Sequence, residues 1–285
     1  MIITVASGKG GTGKTTVATS LALALQEHLA VQFLDCDVED PNAHLYLRPT
    51  IQRREEVGVS LPVVDFALCD YCGRCAEVCA YHAIAVVGQK LLIFPELCHG
   101  CGSCILNCPQ KAMHEEPRPV GIIEEGQAGP IAFAQGILNV GEPMATPVIR
   151  QLKKRLQECQ PGVVSILDAP PGTACPVVES LRGADFALLV TEPTPFGLHD
   201  LRLAVEVARD TLGLPVGVVI NRDGVGNTGV EDYCTAEGIP VLMRIPLDRR
   251  IAAPCSDGVP LVEAFPSYRE HFQDLYNWIV RVQLG

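Results

Sequence analysis

Eight of the thirteen cysteines lie in two copies of one spacing between residues 69 and 108. The copies are Cys69, Cys72, Cys75, Cys79 and Cys98, Cys101, Cys104, Cys108. This spacing ligates four-iron clusters, and the fourth cysteine of each run serves the other cluster. We therefore predict two [4Fe-4S] clusters, held by Cys69, Cys72, Cys75 and Cys108 and by Cys98, Cys101, Cys104 and Cys79.

Zinc is the alternative metal for these thiols, because Cys-x-x-Cys pairs also bind zinc. One tetrahedral zinc ion uses two such pairs, so the third and fourth cysteine of each run would have no role. Residues 64–115 resemble bacterial two-cluster ferredoxins, in which a proline follows each run. Pro109 matches that pattern, whereas Ala80 occupies the equivalent place in the first run. We expect this departure to relax a turn without removing a ligand.

A glycine-rich loop near the start of the chain predicts a phosphate site. It follows a predicted strand over residues 2–6, opens a predicted helix over residues 15–28, and consists of Gly8, Lys9, Gly10, Gly11, Thr12, Gly13, Lys14 and Thr15. Such a loop surrounds phosphates with backbone N–H groups, while the lysine reaches the β- and γ-phosphates and the hydroxyl binds Mg²⁺. We assign these roles to Lys14 and Thr15 and extend the site to Thr16.

The early Lys9 makes this loop resemble the deviant Walker A loop of the MinD/ParA/Mrp ATPase superfamily. The resemblance implies that the chain binds ATP or ADP with Mg²⁺ and forms an ATP-sandwich dimer. In that family the early lysine crosses to the nucleotide of the other subunit. We therefore predict a homodimer, or a heterodimer with a similar subunit, in which Lys9 and Lys14 are catalytic.

Other residues match the same family in order and setting. Asp37 resembles the aspartate that orients the attacking water, and Asp168 resembles the Walker B residue that holds Mg²⁺. The resemblance places the adenine site at Asn221, Arg222, Pro246 and Asp248. Asp35 is equally well explained as a second Mg²⁺ contact or as a loop cap at a strand end.

The remaining pattern predicts an α/β fold. β-branched runs without alternation are separated by helical segments, which is typical of a mostly parallel sheet with helices on both faces. Residues 64–115 break this rhythm, so we predict an ATPase domain over residues 1–63 and 116–285 with an inserted, small α+β ferredoxin-like domain. The flanking segments 57–65 and 119–140 are predicted to form a connecting hairpin or edge strands.

Composition excludes several classes of protein. The formal net charge is −11, which disfavours nucleic acid and anionic membrane as partners. No apolar run is long enough to cross a bilayer, and the sequence runs from Met1 directly into the phosphate loop without a recognisable signal peptide. These features favour a cytoplasmic protein whose thiols bind metal. An apolar stripe over residues 265–279 predicts a C-terminal helix that docks on the sheet.

The sequence also contains potential metal ligands other than the eight cysteines of the two runs. His82 and His99 are expected to be solvated loop residues, because the cysteines already fill both clusters. Cys36, Cys159, Cys234 and Cys255 are predicted to be ordinary thiols. Cys175 lies where the related nitrogenase iron protein carries a cluster ligand between subunits, so a third, intersubunit metal site is a hypothesis beside that of a packed thiol.

Three functions fit these features. The leading hypothesis is an ATPase whose nucleotide state gates electron transfer through two clusters to a redox partner. The second is an ATPase that assembles or carries iron-sulfur clusters for a client protein. The third is a positioning ATPase, which the acidic balance and the cysteine runs disfavour.

Overall fold

A computed structural model describes residues 1–158 and 162–284 of the chain. Cys159, one of the thiols predicted to be ordinary, lies outside these residues. The first strand (Ile2–Ala6), the glycine-rich loop and the first helix (Lys14–Leu25) follow one another as the sequence predicts. Gly13 has φ +90° at the N-terminus of this helix, a conformation that glycine adopts without strain.

Eleven strands occur in the described part of the chain. They are β1 (Ile2–Ala6), β2 (Val31–Asp35), β3 (Thr50–Val64), β4 (Ile84–Val87), β5 (Lys90–Ile93), β6 (Met113–Ala128), β7 (Ile131–Leu138), β8 (Val164–Asp168), β9 (Phe186–Thr191), β10 (Val216–Asp223) and β11 (Val241–Pro246).

The same residues contain eleven α-helices. They are α1 (Lys14–Leu25), α2 (Ala43–Leu47), α3 (Arg74–Glu77), α4 (Ser103–Leu106), α5 (Thr146–Lys153), α6 (Cys175–Leu181), α7 (Pro195–Val205), α8 (Gly229–Ala236), α9 (Arg249–Ser256), α10 (Leu261–Ala264) and α11 (Tyr268–Leu284). Short 3₁₀ segments cover Pro95–Leu97 and Lys154–Glu158, and a π-helical segment, Glu206–Thr211, continues α7.

One mixed sheet organises the described residues, in the order β11-β10-β9-β1-β8-β2-β7-β6-β3. The first seven strands in this order are parallel, which confirms the predicted α/β class. The last two strands, β6 and β3, are antiparallel additions. β3 begins at Thr50, before the predicted segment of residues 57–65. The first half of this strand is polar, as is common for an edge strand, so it has no apolar pattern from which it could be predicted.

The cysteine runs lie between β3 and β6, in what we call the cysteine-rich segment, residues 65–112. The two strands pair from Thr50 with Gln127 to Val64 with Met113, so the segment begins and ends at neighbouring positions. It contains α3, α4 and the two-stranded sheet of β4 and β5. Cys75, Cys104 and Ile84 form a small core with Met113. The domain division itself remains a prediction.

The core of the main sheet is divided between its two faces. One face packs against α1, α10 and α11, with Phe33, Phe186 and Phe272 fully buried. The predicted C-terminal helix is α11, and its apolar stripe docks on this face through Leu275 and Ile279. No helix of the described residues has the length and apolar character needed to cross a membrane.

Gly126 provides a test of the β3–β6 pairing. A Cβ at this position would lie 2.1 Å from the carbonyl oxygen of Thr50, so backbone must move. We expect Gly126→Ala to lower the free energy of unfolding by about 1–3 kcal/mol, the usual range for overpacking. Chemical denaturation measures this change. Gln127→Ala, at an exposed neighbouring position, is the control, and an equal loss in both variants would contradict the steric explanation.

Candidate functional site

The main cleft lies at the carboxyl ends of the parallel strands, where α/β proteins bind ligands. Its volume is about 750 Å³, within the size range of small-molecule sites. The predicted nucleotide-site residues that line it are Lys9, Gly10, Gly11, Thr12, Gly13, Lys14, Thr15, Thr16, Asp37, Asn221, Arg222, Pro246 and Asp248. Gly8, the first residue of the loop, faces Asp200 instead of the cleft, and a Cβ there would meet the backbone of Asp200 at 2.2 Å.

Asp168 is the carboxylate that contacts the phosphate loop most directly. It is fully buried at the end of β8, where Lys14 Nζ donates to its Oδ1 over 2.9 Å and Thr15 Oγ1 donates to its Oδ2 over 2.5 Å. Burial lowers the pKa of Lys14, but the carboxylates of Asp168, Asp37 and Asp35 together outweigh burial and raise it above the usual value. The predicted phosphate and Mg²⁺ residues are therefore gathered around one carboxylate.

Two aspartates at and just after the end of β2, Asp35 and Asp37, differ in their surroundings. Asp37 lies 4.0 Å from Lys14, and burial raises the pKa of its carboxyl to about 6 against the opposing charge of that lysine. Asp35 is fully buried and accepts hydrogen bonds from the backbone N–H groups of Asp37, Asn42 and Ala43. Burial and the neighbouring Asp168 raise the pKa of Asp35 to about 8. Asp35 thus fixes the loop of residues 36–42, which we call the Asp37 loop.

Glu192 is a cleft residue that the sequence analysis missed. It follows β9 directly, is 8% exposed, and forms ion pairs with Lys9, at 3.2 Å, and with Arg222. Lys9, predicted to reach the nucleotide of another subunit, is thus held by a carboxylate of its own chain. Glu192 could have been predicted from its position in the sequence, because an acidic residue immediately after a parallel strand lies at the ligand-binding edge of the sheet.

The predicted adenine residues lie on the far side of the loop. Asn221 ends the buried part of β10 and donates from Nδ2 to the carbonyl of Thr12 over 2.7 Å, which ties this strand to the phosphate loop. Asp248 caps α9 by accepting from the backbone of Arg250 over 2.8 Å. Both residues line the cleft with Pro246, while their contact with a base remains a prediction.

Two smaller cavities lie in the cysteine-rich segment, each lined by four cysteines. One is lined by Cys69, Cys72, Cys75 and Cys108. The other is lined by Cys79, Cys98, Cys101 and Cys104. Each cavity therefore brings together three cysteines of one run and the last cysteine of the other, which are the sets predicted from the spacing.

The donor groups around the cavities suit thiolate ligands. The backbone N–H groups of Ala83 and Ala112 point to the sulfurs of Cys79 and Cys108 over 3.2 and 3.3 Å. Such hydrogen bonds stabilise the negative charge of cluster sulfurs. Within the described ranges, no three His, Cys, Asp or Glu side chains form a group that could hold a single metal ion.

The two cysteine loops are not equivalent. Gly100 packs against β3, since a Cβ there would meet Val59 at 2.8 Å and the carbonyl of Ser60 at 2.9 Å. The equivalent glycines of the two runs also differ, since a Cβ at Gly102 would meet Glu115 Oε1 at 3.1 Å, whereas one at Gly73 would have nothing within 4 Å. Tyr81 and His99 stack with ring centroids 3.7 Å apart beside the second cavity. His82 is exposed, as predicted for a solvated loop residue.

The remaining thiols lie apart from these cavities. Cys175 is exposed at the start of α6, between Ala174 and Pro176 of the cleft wall. Cys36 and Cys234 are buried, and burial raises the pKa of Cys234 to about 11. Cys255 lines the cleft. The third, intersubunit metal site therefore remains a hypothesis that rests on Cys175.

The fold and the phosphate loop define an α/β P-loop nucleotide-binding protein. The family model of the CobQ/CobB/MinD/ParA nucleotide binding domain matches residues 3–261. The chain belongs to this family. An uncharacterized protein of Methanocaldococcus jannaschii is 31% identical, with 98% of each chain covered. An iron-sulfur cluster carrier protein of Synechocystis sp. is 27% identical, over 93% of this chain and 65% of that protein.

Solved structures share the fold at low sequence identity. The cell division ATPase MinD of Pyrococcus furiosus superposes with a TM-score of 0.58 at 22% identity, with 99% of this chain and 98% of that chain covered. MinD of Pyrococcus horikoshii, solved with Mg-ADP, gives a TM-score of 0.57 at 21% identity, with 96% and 93% covered. These likenesses support the α/β architecture.

Glu192 yields a prediction for nucleotide binding. Replacing it by Gln removes a negative charge beside the phosphate loop and frees the cations of Lys9 and Arg222, so we expect several-fold tighter binding of Mg-ATP. Titration calorimetry at fixed ionic strength measures the affinity. Glu206→Gln, which removes an exposed carboxylate on the π-helical segment, is the matched control. Equal affinity of both variants would show that the ion pairs of Glu192 do not restrain the binding of Mg-ATP.

Proposed function

We propose that this protein is a Mg²⁺-dependent ATPase that works as a nucleotide-switched dimer and gates electron transfer through two [4Fe-4S] clusters to a redox partner. One observation carries the proposal. Two four-cysteine cavities lie in a segment whose two ends continue into β3 and β6, strands of the same sheet that forms the nucleotide cleft. Nucleotide chemistry and thiolate chemistry would thus share one sheet.

The residues of the cleft suit phosphoryl transfer to water. When ATP binds, the phosphates compete with Asp168 for Lys14, and backbone N–H groups of the glycine-rich loop surround them. Thr15 and Asp168 would hold Mg²⁺, which supplies charge neutralisation at the phosphates. Asp37, directed towards Lys14, is the group that would orient the attacking water. Lys9 would leave Glu192 to contact the nucleotide bound by the other subunit.

The cysteine cavities suit cubane clusters by number and arrangement. A cubane takes four thiolates, and each cavity offers four. Once bound, such clusters supply one-electron transfer. The first run and the exposed side chains of Phe66, Leu68 and Leu106 offer an apolar approach for a redox protein. The acidic net charge does not favour nucleic acid as the partner.

The Asp37 loop contacts β7, and the end of β7 contacts β6, one of the strands that carry the segment. Val38 accepts a hydrogen bond from the backbone of Leu138 over 2.8 Å, and Asn139 donates to Val120 on β6 over 2.9 Å. Gly136 also leaves room for Val38, because a Cβ there would lie 2.6 Å from that side chain. A displacement of the Asp37 loop on ATP hydrolysis would therefore also displace β7 and β6.

The first functional prediction concerns Asp37. Asp37→Asn should abolish ATP hydrolysis while retaining nucleotide binding, because a neutral amide cannot orient the attacking water as the carboxylate would. In the wild type, hydrolysis should rise with pH as Asp37 loses its proton around a pKa of about 6. Steady-state phosphate release between pH 5 and 8 measures this dependence. Activity that is independent of pH across this range would argue against Asp37 as the acting carboxylate.

The second functional prediction concerns the clusters. We expect about eight irons per chain after anaerobic reconstitution, and about four in Cys108→Ser, since that variant loses one ligand set. Iron analysis with electron paramagnetic resonance measures both. Cys175→Ala is the control and should keep the full iron content; loss of iron from this control would instead support the intersubunit site.

The same variants test the coupling. ATP turnover with a redox partner present should differ between cluster-loaded wild type and Cys108→Ser. Identical turnover of the two proteins would count against nucleotide-gated electron transfer, even if the wild type holds both clusters.

A second candidate function is favoured by the names of relatives. The Synechocystis protein and others of similar identity are named iron-sulfur cluster carrier proteins. On this view the chain would deliver clusters to a client protein in an ATP-dependent step. Transfer of labelled iron to an apo-acceptor discriminates the two functions, because an electron carrier retains its iron during turnover.

A further inference from the structure

A row of polar side chains crosses the sheet from the nucleotide cleft to the outer edge. Asp168 pairs in register with Asp35 on β2, and Asp35 pairs with Gln135 on β7. Gln135 lies opposite Glu124 on β6, and Glu124 lies opposite Arg54 on β3. Registered partners on adjacent strands point to the same face of a sheet. The five residues therefore form one continuous line across five neighbouring strands.

The outer part of this row is held together by direct contacts. Gln135 Nε2 donates to Glu124 Oε2 over 2.7 Å, and Arg54 Nε lies 2.7 Å from Glu124 Oε1. Glu124 and Gln135 are 6% and 4% exposed, whereas the side chain of Arg54 is mostly exposed. A buried carboxylate depends on its cation, so Glu124 is fixed by Arg54.

The inner part of the row adjoins the Asp37 loop. Asp35 holds this loop through three backbone N–H groups. Its neighbour Gln135 is anchored by the amide nitrogen alone, because Gln135 Oε1 is buried without a hydrogen-bond partner among the described residues. The position of Gln135 beside Asp35 is therefore set from the Glu124 side.

We infer that Arg54, Glu124 and Gln135 are positioning residues that couple the cysteine-rich segment to the Asp37 loop. The inference rests on the proposed function and names the residues through which the cysteine-rich segment and the Asp37 loop would affect each other. Arg54 and Glu124 lie on β3 and β6, the two strands that enter and leave the segment. A shift of these strands moves Gln135 against Asp35, and a shift of the Asp37 loop acts in the reverse direction. Coupling between two binding sites is reciprocal.

Hydrogen exchange of the full, cluster-loaded chain tests this route. Exchange is measured with and without Mg²⁺ and a non-hydrolysable ATP analogue, in the Asp37 loop and in residues 65–112. In the wild type we expect nucleotide to slow exchange in both. Arg54→Ala and the milder Glu124→Gln should keep the response of the Asp37 loop and lose at least half of the response in residues 65–112, with analogue affinity changed less than twofold.

Two controls separate coupling from loss of stability. Arg53→Ala removes the neighbouring arginine of β3, which pairs with Glu55 and not with the row, and should behave as the wild type. Gly126→Ala weakens the same strand pair without removing a polar side chain and should keep the response in residues 65–112.

The outcomes distinguish a failure of the proposed nucleotide gating from a failure of the positioning role of the row. If wild-type residues 65–112 do not respond to the analogue, the proposed nucleotide gating is overturned. If they respond and Arg54→Ala and Glu124→Gln respond equally, the gating stands and the positioning role of the row is overturned. Loss of the response in Gly126→Ala as well would overturn the role too, because general weakening of the strand pair would then explain it.

Discussion

The ion pair between Lys14 and Asp168 is the interaction on which the arrangement of the cleft depends. Asp168 is fully buried, and a carboxylate in that position is stable only with a cation and further donors around it. Lys14 and Thr15 supply them from the first turn of α1. The pair therefore locks the glycine-rich loop onto β8 and gives the loop its shape before any nucleotide binds.

The sheet extends this local constraint over a long distance. β8 and β2 bring Asp168 and Asp35 into register, and β7, β6 and β3 continue the same sheet to the root of the cysteine-rich segment. The segment itself is asymmetric, because its second loop packs against β3 at Gly100. The cavity of Cys79, Cys98, Cys101 and Cys104 is also lined by Ser60 and Pro62 of β3 and by Glu115 of β6, whereas the main sheet contributes Met113 to the lining of the other cavity.

The sequence allowed part of this architecture to be predicted. Lys14, Asp37 and Asp168 belong to local motifs with known chemistry, and the structure gathers them in one cleft. The early part of β3 was missed because Arg53, Arg54 and Glu55 carry no apolar alternation. Glu124 and Gln135 were missed because a buried polar pair has no signal in single-sequence periodicity. Such pairs are defined by cross-strand register, which depends on the whole sheet.

The pairing of Val64 with Met113 has a consequence for how such a protein can arise. Because the two ends of the cysteine-rich segment are cross-strand neighbours, the segment takes the place of an ordinary hairpin turn. A segment attached in this way can be gained or lost during evolution without changing the order or direction of any strand in the main sheet. Its point of attachment is thereby a natural site for exchanging one such segment for another.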